Sequence, residues 1–222
     1  MAKKKTFTTI LQKTVKGGTL PTNVYASREW FREKSMQVRS LREGDTQRIL
    51  KIGRQNKRMK PALRGRMMLG KMFMFEYDPI TAEETLERGG YYDIFPCVFP
   101  IKPLEDGFLG INMHYLPYTW RAILMDNLYN LVQEPENLTE QSRLKLPMDG
   151  YNFLKKSAKY RYFVPCIRKY LFTRAMSRYM EVPATEWEIA LFLPLERFQG
   201  DTRRKIWMDT RKKYRRSIQR GF

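Results

Sequence analysis

The chain has 222 residues, a mass of 26.7 kDa and a formal net charge of +19, from 42 Lys and Arg against 23 Asp and Glu. This length fits one domain with extensions, and the sequence contains neither an apolar run long enough to cross a bilayer nor a signal-peptide segment. The two cysteines, Cys97 and Cys166, are too few for a disulfide framework or a zinc site, and their apolar neighbours predict buried structural thiols.

The predicted organisation starts with an extended basic arm over 1–26, followed by a single α+β domain over 27–222. The arm has five lysines and no acidic residue, and its Gly17-Gly18 pair interrupts any helical period. The domain is expected to begin with a helix over 27–39, for which Ser27 is the predicted N-cap.

The β core is predicted over 67–115 as a small bent antiparallel sheet or partial barrel. Its first strand is expected within 67–78, where side chains of different character alternate with a period of two. The alternation assigns one face to Met72, Met74 and Glu76, and the other to Lys71, Phe73, Phe75 and Tyr77.

A β-hairpin is predicted where Asp106-Gly107 separates the apolar runs 95–101 and 108–115. The glycine is expected at a turn position that requires a positive φ. Prolines 96, 100 and 103 lack an N–H group, so the first hairpin strand is expected to be either an edge strand or a bulged strand.

The predicted helical part covers 118–180, because apolar residues recur there at spacings of three and four. Helices are expected over 118–133, 151–162 and 165–179. A last strand over 187–195 is predicted to join the sheet, and a basic helix over 202–219 is predicted to follow it. In total, about five helices are expected to wrap the sheet.

Charge is segregated along the chain. Residues 28–71 have 14 basic and 4 acidic side chains, and residues 151–222 have 18 basic and 6 acidic ones. Residues 72–150 between them have 5 basic and 13 acidic side chains. Basic ends around an acidic centre indicate a polyanionic partner. The alternative is that the basic ends contact acidic faces of neighbouring protein subunits or the acidic 72–150 module of the chain itself.

The predicted partner is duplex DNA, bound without sequence preference, because contacts to phosphates position a protein but do not read bases. The predicted nucleic-acid-binding residues are the lysines and arginines of two basic stretches. They are Arg48, Lys51, Arg54, Lys57, Arg58, Lys60, Arg64 and Arg66 in the first stretch, and Arg203, Lys205, Lys212, Lys213, Arg215 and Arg216 in the second.

No catalytic residue, cofactor, metal or small-molecule substrate is predicted, since phosphate-binding loops and nucleophile elbows are missing from the sequence. His114, the single histidine, is expected to be a structural residue in a strand. The one catalytic alternative is a metal-dependent nuclease. In that alternative, three carboxylates hold Mg²⁺ and a lysine completes the centre. Those residues are Glu76, Asp78, Asp93 and Lys102.

Membrane binding is not expected either, because the predicted terminal helix has a polar arc too wide for strong insertion.

Three central motifs resemble those of a virion protein family of T-even-like tailed bacteriophages. They are Gly-Lys-Met-Phe-Met-Phe-Glu-Tyr-Asp-Pro (70–79), Tyr-Tyr-Asp-Ile-Phe-Pro (91–96) and Gly-Phe-Leu-Gly-Ile-Asn-Met-His-Tyr-Leu-Pro (107–117). Two later motifs, at 159–166 and 186–194, are similar to the same family, so the likeness spans roughly 28–215. The family resembled is the DNA end protector group.

The resemblance implies a non-catalytic virion protein, made in the host cytoplasm, that binds or protects the end of the genome DNA. Its implied partners are duplex DNA and other phage virion proteins. A structural component of the phage neck, tail or baseplate, with protein contacts only, is the alternative. A ribosome-associated basic protein would share the charge but would not account for the motifs.

Overall fold

The computed structural model describes residues 6–43, 71–79, 92–132, 163, 166–193, 205 and 208. Within these residues the α-helices are α1 (Phe7–Lys16), α2 (Leu20–Glu43), α3 (Tyr118–Val132) and α4 (Trp187–Ala190). The strands are β1 (Met72–Met74), β2 (Cys97–Pro103), β3 (Gly107–Asn112), β4 (Ile167–Leu171) and β5 (Met180–Val182). Short 3₁₀ turns cover Met113–Tyr115, Phe172–Arg174 and Ala184–Glu186. The α+β class and the helix after residue 117 are thus confirmed.

The five strands form an open antiparallel sheet in the order β4-β3-β2-β1-β5. The predicted hairpin is confirmed as β2 and β3, and the Leu104 N–H donates to the Gly107 carbonyl at 2.9 Å across the turn. The proline-containing strand β2 lies at the centre of the sheet, so the edge-strand alternative is wrong. The bulged-strand alternative is confirmed, because the register shifts between Pro100 and Lys102. The irregular ladder at the bulge tolerates a residue that cannot donate.

The predicted alternation of β1 is confirmed by two separate cores on the two faces of the sheet. Met72 and Met74 belong to the larger core, which the helices cover. Phe73, Phe75 and Tyr77 belong to a smaller aromatic core with Phe108 and Tyr170. Because each face buries its own cluster, a one-residue slip of β1 would exchange the two sets of side chains.

The amino-terminal prediction is wrong over the described residues, because α1 and α2 replace the extended arm from Phe7 onward. The buried residues Phe7, Leu11 and Thr14 form a stripe with helical spacing, a signal present in the sequence that the prediction of an arm overlooks. Ser27, predicted as an N-cap, is fully buried inside α2. Pro21 lies in the first turn of α2, where a missing N–H is tolerated.

Two carboxyl-terminal predictions are also wrong. The expected helix over 165–179 contains β4, which pairs with β3, and a 3₁₀ turn. The expected strand over 187–195 is α4 in its described part. Short apolar runs have no local signal that separates a strand from a buried helix, and long-range pairing overrides weak propensity.

The other predicted helices, over 151–162 and 202–219, lie outside the described residues, apart from the helical Lys205 and Met208. The single-domain organisation of 27–222 stays a prediction. No described helix is both long enough and apolar enough to cross a membrane.

Asp126 on α3 caps the first turn of α1. Its Oδ1 accepts the Phe7 N–H at 2.6 Å, and its Oδ2 accepts the Thr8 N–H at 3.2 Å and the Thr8 hydroxyl at 2.5 Å. A carboxylate at a helix amino terminus satisfies free N–H groups and interacts favourably with the helix dipole. Asp126 therefore holds α1 against the core.

Asp126→Ala is expected to lower the free energy of unfolding by about 1–3 kcal/mol, because the hydrogen bonds at a charged cap are removed. Urea denaturation measures this change. Asn127→Ala is the control, since within the described part of the chain Asn127 Nδ2 donates to the Ile123 carbonyl of its own helix, at 2.7 Å, and to no other element. Equal urea midpoints for Asp126→Ala and the wild type would show that the cap does not stabilise the fold.

Candidate nucleic-acid interface

The predicted nucleic-acid-binding residues of 48–66 and 203–216 lie outside the described residues, with one exception. Lys205 is described, and it is exposed. The two stretches therefore stay predictions of phosphate contact. The described residues add basic side chains that are not among the predicted ones.

Arg32 and Arg39 lie two helical turns apart on α2, and both are exposed. No acidic residue of the described ranges pairs with either arginine. Met36 lies between them along the helix and is 59% exposed. Their spacing of seven residues is visible in the sequence, and it is the signal that could have identified them as one face.

Lys34, on the same helix, differs from the two arginines because it pairs with an acidic side chain. Its Nζ lies 2.8 Å from Glu186 Oε2, and Trp30 Nε1 donates to the same oxygen at 2.7 Å. These contacts join α2 to the turn before α4. Lys34 is thus used for packing, whereas the two arginines face solvent.

A cleft of about 320 Å³ lies between α2 and the segment that precedes β2. The guanidinium of Arg39 lies over the Phe95 ring, 5.1 Å from its centroid, in a cation–π contact. The cleft thus combines aromatic and basic surface. Its lining residues are Phe31, Arg32, Ser35, Met36, Arg39, Asp93, Ile94 and Phe95.

Asp93 is the acidic residue of this cleft and is 8% exposed. Its Oδ1 accepts the Phe95 N–H at 3.1 Å. Its Oδ2 accepts Asn112 Nδ2 at 3.1 Å and lies 2.5 Å from His114 Nδ1. The carboxylate therefore fixes the cleft segment to the end of β3.

The position of His114 differs from the prediction, which places this histidine in a strand without a partner side chain. It lies in a 3₁₀ turn, pairs with Asp93, and packs edge-on against the Phe31 ring at 4.8 Å between centroids. Burial together with the Asp93 charge raises the pKa of Tyr170, whose hydroxyl accepts Asn112 Nδ2 at 3.1 Å. The buried network thus supports the Phe31 wall of the cleft.

The carboxylates of the nuclease hypothesis do not converge in the described part of the chain. Among those residues no group of three His, Cys, Asp or Glu side chains could hold a metal ion. Asp78 lies 3.6 Å from the Arg174 guanidinium, and Asp93 is engaged by Asn112 and His114. Lys102 is exposed on β2.

Cys97 and Cys166 are both buried, as predicted. Desolvation raises the pKa of the Cys166 thiol to about 12 and also raises the pKa of Cys97. A buried thiol with a raised pKa is a poor nucleophile, so both residues have a structural role, and the Cys166 thiol donates to the Tyr115 carbonyl at 3.4 Å.

Comparison with known proteins matches residues 5–214 to a family described as the phage T4 terminal DNA protecting protein. No curated protein and no solved structure matches the chain. The matched range includes the three central motifs, the cleft and the basic stretch of 48–66. The protein therefore belongs to the phage T4 terminal DNA protecting protein family, whose role is to protect the end of phage DNA.

Proposed function

We propose that this protein protects the genome end by binding duplex DNA there without sequence preference and without catalysing a reaction. The family match over 5–214 is the observation that carries the proposal. The net charge of +19 supports it, because a protein with this charge attracts polyanions.

The proposed phosphate contacts are the basic residues of 48–66 and 203–216, together with Arg32 and Arg39 on α2. Each phosphate that a lysine or arginine neutralises releases condensed counterions, which makes binding favourable and dependent on salt. A protein held over the terminus in this way blocks an exonuclease sterically.

The acidic 72–150 module is proposed to face other virion proteins. In this proposal the protein is made in the host cytoplasm and then becomes part of the particle.

The proposal of a non-enzymatic role rests on how the candidate groups are used. Asp93 and His114 bind each other beneath the cleft, and His114 is 5% exposed. Because each side chain is the partner of the other, the pairing supports a positioning role for Asp93 and His114 and agrees with a function without general-base catalysis.

Binding to linear and circular duplex DNA across a salt series tests the function. We expect the logarithm of the affinity to fall linearly with the logarithm of salt, with a slope of about −0.9 per neutralised phosphate. Replacing Lys57, Arg58 and Lys60 by alanine should make the slope shallower by about 1 for each phosphate that is no longer neutralised, on all sequences. Linear DNA bound by the wild type should resist exonuclease digestion.

Two results would contradict this function. An affinity that does not change with salt would exclude phosphate contacts as its source. Absence of DNA binding at moderate salt would favour the structural alternative, in which the basic stretches join protein subunits of the neck, tail or baseplate.

A further inference from the structure

We propose that the cleft between α2 and residues 93–95 binds the 3′-terminal nucleotide of a DNA strand. This inference rests on the proposed function, and it assigns a site to the recognition of the end itself. The phosphate-contacting stretches would bind any duplex, whereas a cleft of single-nucleotide size can distinguish a terminus from internal DNA.

The size of the cleft favours a single nucleotide. Its volume of about 320 Å³ is at the lower end of the range for small-molecule pockets, which is about 300–1,000 Å³. An internal nucleotide enters such a space only if it is unpaired and unstacked from both neighbours, whereas a terminal nucleotide is already free on one side. A cleft of this size therefore favours strand ends over internal nucleotides.

The walls provide apolar contact for a base and cationic contact for a phosphate. Phe31, Met36 and Phe95 line the cleft, and aromatic contact with a base is sequence-tolerant and contributes roughly five- to 150-fold in affinity. Arg32 and Arg39 line the same space and have no acidic partner among the described residues. A guanidinium stacked on a ring, as in Arg39 on Phe95, still presents its in-plane N–H groups to a phosphate.

Asp93 determines the orientation of the nucleotide. Its carboxylate repels phosphate, so the phosphate lies by the arginines and the sugar and base lie toward Asp93. Asp93 Oδ1 accepts one hydrogen bond within the structure, from the Phe95 N–H at 3.1 Å, and a carboxylate oxygen accepts a second. A free 3′-hydroxyl is a donor that only the 3′-terminal nucleotide of a strand has, so Asp93 recognises that end without reading a base.

The test compares linear duplexes that differ only at the 3′ terminus, in competition with circular DNA. We expect the wild type to bind 3′-hydroxyl ends about tenfold more tightly than 3′-deoxy or 3′-phosphate ends. A 3′-deoxy end lacks the hydrogen bond to the charged acceptor, and a 3′-phosphate is repelled by the Asp93 carboxylate. The DNA is varied and the protein is not, so folding does not affect this comparison.

Protein variants then locate the site. Arg32→Ala/Arg39→Ala should reduce the preference for ends to near the level of circular DNA while salt-dependent binding remains. Lys13→Ala/Lys16→Ala removes the same charge from exposed positions of α1 outside the cleft, and it should keep the end preference. Met36→Glu, at an exposed position of the cleft, should abolish the preference without unfolding the protein.

The outcomes separate the two proposals. The cleft site would be overturned, and the proposed function left intact, by either of two results. One is an affinity that does not depend on the 3′-terminal group, and the other is an equal loss of end preference in the arginine and the lysine variants. A wild type that binds neither linear nor circular DNA would overturn both.

Discussion

Gly107→Ala is expected to lower the free energy of unfolding by about 4 kcal/mol, which is near the upper end for a single substitution. A Cβ atom at Gly107 would lie 1.9 Å from the Tyr170 carbonyl oxygen and 3.0 Å from the Leu171 Cα. These are backbone atoms of the neighbouring strand β4, so no change of side-chain rotamer relieves the overlap. The two strands must separate, which opens the edge of the sheet.

Guanidinium chloride denaturation measures this loss, and Gly110→Ala provides the matched control in the same strand. A Cβ at Gly110 would meet Val98 Cγ1 at 2.2 Å, which is a side-chain atom. Adding Val98→Ala should therefore recover much of the stability that Gly110→Ala removes, whereas no side-chain truncation rescues Gly107→Ala. A Gly107→Ala midpoint close to that of the wild type would refute the close approach of β3 and β4.

Arg121→Met is expected to destabilise the protein by about 3 kcal/mol, because buried carbonyl groups lose a charged donor. Arg121 lies on α3 and is 0% exposed. Its Nε donates to the Met113 carbonyl at 2.8 Å, and its Nη1 donates to the carbonyls of Leu191 and Leu193. One side chain thus joins α3, the turn after β3 and the chain that follows α4.

The expected loss is smaller than the sum of the individual bonds, because removing a buried charge also removes its desolvation penalty. Arg121→Lys should destabilise as well, since an ammonium group cannot reproduce the planar fork of donors. Arg32→Met, at an exposed position, should change stability by less than about 0.5 kcal/mol. If Arg121→Met were as stable as Arg32→Met in urea, the carbonyl contacts would contribute no net stability.

Local patterns predict those elements whose partners lie close in sequence. The Asp106-Gly107 hairpin, the two faces of β1 and the helix α3 all follow from turn chemistry and from periods of two or three to four residues. The expected positive φ at Gly107 is wrong, however. Among the described glycines only Gly18 has a positive φ, so Gly107 is required by the approach of β4 and not by the turn conformation.

The candidate site depends on residues that no short motif connects. Asp93 and His114 are 21 residues apart, and the sequence patterns assign one to a nuclease centre and the other to a strand. Phe31 and Arg32 lie in the helix predicted over 27–39, although that helix begins at Leu20 in the structure. The fold brings these side chains to one cleft, and neither composition nor spacing could show that.

Taken alone, the sequence determined the α+β class, the hairpin, the segregation of charge and the family. The first three features depend on local periodicity, on turn residues and on counts of charge, and the family follows from the resemblance of the central motifs; all of these are present before the chain folds. Only the tertiary structure decided that the 167–171 segment is a strand and that proline-containing β2 is central. The reason is that strand pairing and helix docking depend on contacts between distant residues, whose energies exceed the small differences in local propensity.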